Sequence, residues 1–198
     1  DTARFDPARE LPDMRKKWNI PANAFVFGIV ARMQTHRNYE ILFEALARVA
    51  KTEPRIHLIV VGRGTNQENV GFRPVAEHGL ADRVTFTGYV DGNAYVATLK
   101  AFDAGIFLVP GSDGTCRAVR EIMAMNQPMI VARRGMLPEI VEHDKHGAVI
   151  DLNAESLADA MHAFVTNGAR TSSLAEAAGA HARTVYSIEA QAKSVLGV

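Results

Sequence analysis

The densest set of chemistry-bearing residues runs from Pro110 to Pro128: Pro-Gly-Ser-Asp-Gly-Thr-Cys-Arg-Ala-Val-Arg-Glu-Ile-Met-Ala-Met-Asn-Gln-Pro. Gly111 and Gly114 let backbone approach a ligand closely. The N–H groups of Thr115, Cys116 and Arg117 fall where a helix begins, at positions whose donors have no partner inside the helix. Such amides at the positive end of a helix dipole bind phosphate, so this segment is a candidate anion site. The same composition also serves a plain turn in which Ser112 or Asp113 caps the helix. Glu121 stands one helical turn after Arg117, so the two share a face directed back toward the loop. An ionised carboxylate there accepts hydrogen bonds from ribose hydroxyls; a purely structural pair with Arg117 is the other possibility.

A second cluster, Ala31-Arg-Met-Gln-Thr-His-Arg37, places Arg32 at the end of an apolar run and Arg37 across the following turn. Two guanidiniums suit a diphosphate and can neutralise the charge that gathers on a departing nucleoside diphosphate, although loop arginines are also common on solvated surface. His36 receives no role. Gly62-Arg-Gly64 lacks the Gly-x-Gly-x-x-Gly spacing of dinucleotide-cofactor sites, but Gly62 still offers a place for a ligand over a strand end.

The elements that must carry these residues are legible as hydrophobic periodicity. Phe25 to Ala31, His57 to Val61 and Ala104 to Val109 are near-continuous apolar runs rich in β-branched and aromatic residues, as expected of strands covered on both faces. Shorter strands are expected at Val84–Thr87, Met129–Val131 and Ala148–Ile150. Between them, helical spacing of apolar residues predicts helices from Tyr39 to Ala50, Glu68 to His78 and Tyr95 to Phe102, and one ending near Met125; from Glu155 onward the tail reads as helices broken near Gly168. The helix through Met125 buries Ala118, Val119, Ile122 and Met123. Strand and helix alternate throughout, which predicts an α/β fold with a doubly wound, Rossmann-like parallel sheet and a ligand crevice at the carboxyl ends of its strands. Both loops described above open into that crevice.

Bulk composition narrows the partners. At 198 residues the chain makes one domain. Lys plus Arg and Asp plus Glu each number 22, so the net charge is +0 and an anion site must be local; neither nucleic acid nor an anionic membrane is indicated. The single cysteine, Cys116, excludes an intrachain disulfide and a cysteine metal cluster, and fits a reducing compartment. No apolar run approaches the roughly 20 residues of a membrane span. The opening Asp1-Thr-Ala-Arg-Phe-Asp-Pro7 reads like the interior of a longer polypeptide, so an excised domain is expected.

Taken in order, these pieces resemble the C-terminal, donor-binding domain of GT-B glycosyltransferases of the large retaining family 4, and the resemblance covers nearly the whole chain. The family's Gly-Arg-Leu…Lys-Gly stretch is matched by Ala31-Arg32-Met33…Arg37-Asn38, and its Val-x-Phe-x-Gly by Val84-Thr-Phe-Thr-Gly88. Its paired-glutamate motif is matched by Asp113 and Glu121, with seven residues between them, followed by Met123-Ala124 and Pro128. Gly135-Met-Leu-Pro-Glu-Ile-Val141 and Gly147 complete the set. The resemblance implies that Asp113 touches hydroxyls of the transferred sugar, Glu121 holds the ribose, Arg32 and Arg37 grip the diphosphate, and Gly114, Thr115, Cys116 and Arg117 supply phosphate-binding backbone. Aspartate stands where the family has its first glutamate, Arg37 stands for a lysine, and Thr-Cys-Arg replaces a common Gly-Phe-Gly, departures that bear on donor identity.

The implied substrate is a nucleoside diphosphate-sugar of the UDP or GDP type, used with retention at the anomeric carbon and with no further cofactor or metal. An N-terminal acceptor domain absent from this chain is the implied partner, and the isolated domain should turn over little. A cytoplasmic setting is expected, with contact to the inner face of a membrane only through that missing domain. A non-catalytic nucleotide-sugar-binding module is the alternative. A phosphorylase relative would need a crevice lysine for pyridoxal phosphate, and Lys16, Lys17, Lys51, Lys100, Lys145 and Lys193 all fall outside the candidate loops. Glu139 is expected either to approach the donor or to cap a helix that follows it.

Overall fold

The computed structural model describes residues 1–110 and 116–196. Its centre is a parallel sheet of six strands, β1 (Phe25–Val30), β2 (Ile56–Val61), β3 (Val84–Gly88), β4 (Ala104–Phe107), β5 (Met129–Ala132) and β6 (Gly147–Ile150), in the order β3-β2-β1-β4-β5-β6. The helices are α1 (Met14–Lys17), α2 (Tyr39–Ala50), α3 (Arg73–Glu77), α4 (Gly92–Lys100), α5 (Arg117–Ala124), α6 (Leu137–Ile140), α7 (Ala154–Thr166), α8 (Gly168–Val185) and α9 (Ile188–Leu196). The expected Rossmann-like architecture is therefore present. Strand order reverses between β1 and β4, and a crevice opens at their carboxyl ends because the connections leave there in opposite directions.

Two apolar layers cover the sheet. On one face Phe27, Leu58 and Ile106 meet Leu42, Phe43 and Leu46 of α2 and Leu157 and Met161 of α7. On the other, Val26, Ile59 and Val131 meet Val96 and Leu99 of α4, Val119, Ile122 and Met123 of α5, and Ala178 and Ala182 of α8. Burial on both faces is what the continuous apolar runs encode. The predicted core face of α5 holds, with Ala118 only partly buried against it.

Three local departures matter for the site. The stretch expected as one helix over residues 68–78 divides into a π-helical turn, Glu68–Phe72, and α3, because Pro74 at the start of α3 has no N–H with which to continue the preceding ladder. Helix α4 begins at Gly92, three residues before the expected start, and so carries Tyr95 in its first turn at the crevice end of the sheet. Glu139 lies inside α6, exposed, and caps no following helix.

Candidate functional site

A cavity of about 980 Å3 lies over the carboxyl ends of β1 and β2. Its walls come from Val30 to Arg32 after β1, Val61 to Thr65 after β2, Tyr89 to Gly92 after β3, and Arg117 and Glu121 on α5. A smaller chamber of about 190 Å3 adjoins it, shares Val30, Ala31, Tyr95, Arg117 and Glu121, and adds Arg37, Phe107, Cys116 and Ala118. Both stand at the switch point, and the larger has the size of a site for a small organic ligand. Four arginines, Arg4, Arg32, Arg63 and Arg117, line it against two carboxylates, Asp91 and Glu121, so a chain of zero net charge concentrates positive charge at this edge.

Gly62 and Arg32 are placed by a single strand-end device. The Ala31 N–H donates to Val61 O at 3.0 Å and the Gly62 N–H to Gly88 O at 2.9 Å, which locks the ends of β1, β2 and β3 together. Gly62 has φ +130°, and a Cβ there would lie 2.4 Å from Ala31 O. Glycine is thus required first by the approach of Ala31, a packing demand, and the open cavity wall is its consequence. The buried Tyr39 hydroxyl donates to the same Ala31 carbonyl at 3.0 Å, and burial pushes this phenol up, so it stays a donor at neutral pH. With the strand end held in this way, Arg32 is exposed into the cavity.

The two arginines paired in the sequence reading separate here. Arg37 ends a 3-10 turn, Thr35–Arg37, and its Nη1 donates to Val109 O at 3.1 Å and Pro110 O at 3.3 Å. It buttresses the exit of β4 from the side of the small chamber, whereas a free cationic clamp was expected. The cause is the shortness of β4, which ends at Phe107 and leaves those carbonyls outside the ladder.

The start of α5 also differs from expectation. The helix begins at Arg117, and Cys116 occupies the N-cap with left-handed backbone, φ 44° and ψ 40°, and no side-chain capping bond. The first two helical positions of α5 are Arg117 and Ala118, so of the expected Thr115-to-Arg117 set Arg117 falls in the first turn and Cys116 at its cap. Ser112, expected with Asp113 as an alternative cap, lies outside the described residues. Asp113, Gly114 and Thr115 lie outside the described residues. Cys116 is buried, 2% exposed, and lines the small chamber.

Glu121 faces both chambers with its side chain 16% exposed. The Tyr95 hydroxyl donates to its Oε2 at 2.6 Å, and Arg117 Nε stands 3.7 Å from its Oε1. Arg117 is 80% exposed, so that long pair contributes little and leaves the guanidinium available to a ligand. Burial pushes the Glu121 carboxyl up; the hydrogen bond from Tyr95 and the charges of Arg117 and Arg4 pull it back. Three site residues escaped the sequence reading. Periodicity makes Tyr95 the first residue of an expected helix and gives its hydroxyl no role, Arg63 enters only within Gly62-Arg-Gly64, and Tyr89, 68% exposed with the Arg63 guanidinium 5.8 Å from its ring centre, follows the Val84-Thr-Phe-Thr-Gly88 motif directly.

Comparison with known proteins decides the family. The family model for glycosyl transferases group 1 matches residues 11–183. This chain belongs to that family. Among curated relatives, it is 30% identical over 192 residues to a D-inositol 3-phosphate glycosyltransferase of Stackebrandtia nassauensis, covering 92% of this chain and 43% of that protein. It is 31% identical over 173 residues to a GDP-mannose-dependent alpha-(1-6)-phosphatidylinositol monomannoside mannosyltransferase of Mycobacterium tuberculosis, covering 81% and 43%. The chain thus spans less than half the length of these relatives. Its fold is shared with the C-terminal domain of a group 1 glycosyl transferase, LpcC, from Francisella tularensis, with TM-score 0.82, 22% identity, and 95% and 98% of the two chains covered. It is shared also with Anabaena HepE in complex with UDP-glucose, with TM-score 0.85, 23% identity, and 100% and 56% covered. Among the described residues, no helix is long and apolar enough to cross a membrane.

Proposed function

We propose that this chain forms the donor half of a glycosyltransferase that moves a sugar from a nucleoside diphosphate to an acceptor with retention at the anomeric carbon, the acceptor being held by a domain outside these 198 residues. The observation that carries the reading is the cavity at the switch point, where cationic walls meet one carboxylate held by a phenol. The diphosphate lies against Arg32, Arg117 and the first amides of α5, and the ribose hydroxyls donate to Glu121. The acceptor's hydroxyl oxygen forms the new bond to the anomeric carbon and gives its proton to the phosphate oxygen that departs with the old bonding pair, and the guanidiniums stabilise the charge developing on that oxygen because they are already in place. Arg37 acts one step back by holding the β4 exit against the small chamber. Position in the motif assigns Asp113 to hydroxyls of the transferred sugar, and Gly114 and Thr115 to phosphate. The GDP-mannose dependence named for the mycobacterial relative and the UDP-glucose in the Anabaena structure support a GDP- or UDP-sugar as donor.

Calorimetric titration with UDP, GDP and ADP tests the reading. Saturable binding of one nucleotide is expected, weakened about tenfold or more by Arg32→Ala and by Glu121→Ala, since a hydrogen bond to a charged group contributes roughly 1.5–3 kcal/mol. Absence of binding by all three nucleotides refutes it, as does binding insensitive to both substitutions.

A further inference from the structure

Tyr95 on α4 and Glu121 on α5 stand 26 residues apart in the chain and meet at 2.6 Å beside the cavity. The Tyr95 ring is fixed from behind by the buried Phe5, edge-on at 6.2 Å, and Phe5 belongs to a leading segment that Lys100 Nζ ties to α4 through Arg9 O at 2.7 Å. Phe5 and its segment thereby back the Tyr95 ring. An ionised carboxylate has about four acceptor positions, of which Tyr95 takes one on Oε2. Arg117, at 3.7 Å, makes no close hydrogen bond to Oε1. We propose that Tyr95 is a positioning residue of the donor site: by holding Oε2 it presents Oε1 of Glu121 to the hydroxyls of the ligand. The inference rests on the donor reading above. A carboxyl this sheltered is pushed toward its protonated form, in which one oxygen becomes a donor and no longer serves two hydroxyls. Among the described residues, the charged and titratable groups facing Glu121 are Arg117 on its own helix, Arg4 on the leading segment, Tyr95 on α4 and, across the small chamber, Arg37. Tyr95 is the one of them in close hydrogen-bond contact, so its removal falls on the carboxylate.

The test has two readouts on the 198-residue chain. Carbon-13 NMR titration of the Glu121 carboxyl, without ligand, is expected to show a higher midpoint in Tyr95→Phe than in the parent. Nucleoside diphosphate affinity is then measured from pH 5.5 to 8.5, and the ratio of parent to variant cancels the titration of the phosphate itself. The expected ratio is about tenfold at the acid end and shrinks toward the alkaline end, corresponding to loss of one charge-assisted hydrogen bond. In a Glu121→Gln background, where the side chain cannot titrate, the pH dependence of that ratio disappears. An unchanged carboxyl midpoint overturns the pairing, and a ratio constant across pH reduces Tyr95 to a packing residue. A midpoint that moves while no nucleotide binds removes the donor reading and with it the positioning role, although the hydrogen bond stands.

Discussion

His57 offers a stability change whose size follows from its surroundings. It sits in β2, between β1 and β3, 6% exposed, with Nε2 2.8 Å from Thr85 Oγ1 on the neighbouring strand. Burial, together with the charges of Arg83 and Arg15, lowers its pKa from 6.5 to about 4. The unfolded chain thus takes up a proton near pH 6.5 that the folded chain refuses until about pH 4, so the unfolded state binds more protons in between and stability falls with falling pH across that window. The whole interval corresponds to about 3 kcal/mol, of which about 2 kcal/mol is lost by pH 5. In His57→Gln the amide retains reach to the Thr85 hydroxyl and cannot titrate. Urea unfolding of both chains from pH 8 to pH 5 should therefore give curves that converge by about 2 kcal/mol as the parent weakens. The subtraction matters because burial also lowers His146 and His181, which add a slope of the same sign to both chains. Parallel stability curves for the two chains would refute the argument and place a charged or solvated imidazole at residue 57.

The two loop arginines should respond oppositely. Arg37→Ala strips the donor from the carbonyls of Val109 and Pro110 and is expected to cost about 1–3 kcal/mol in chemical unfolding, whereas the exposed Arg32→Ala should leave stability within about 0.5 kcal/mol while weakening nucleotide binding. Gly62→Ala combines a left-handed φ of +130° with a Cβ placed 2.4 Å from Ala31 O, and calorimetry should show a loss of about 2 kcal/mol, which in a chain of this size lowers Tm by about 6 °C.

The hydrophobic pattern by itself determined the parallel sheet, because a strand covered on both faces must read as a continuous apolar run, and Phe25–Val30 and Ile56–Val61 do. Strands alternating with helices then left one edge for the ligand, and the sequence alone placed Arg32, Gly62, Arg117 and Glu121 there. Local pattern could not assign the partners of those residues. Arg37 has the composition of a phosphate clamp, yet its Nη1 is held by carbonyls 72 and 73 residues away in the chain, left over because β4 stops at Phe107. Tyr95 stands at the start of a helix legible from periodicity, and only the tertiary placement of α4 and α5 brings its hydroxyl to Glu121. Periodicity reports which face of an element is buried, whereas the bond a polar side chain makes depends on where another element ends. That ending is settled by the packing of the whole sheet, so the tertiary structure alone decided that one arginine supports the β4 exit, another faces the open cavity, and a tyrosine holds the carboxylate on its wall.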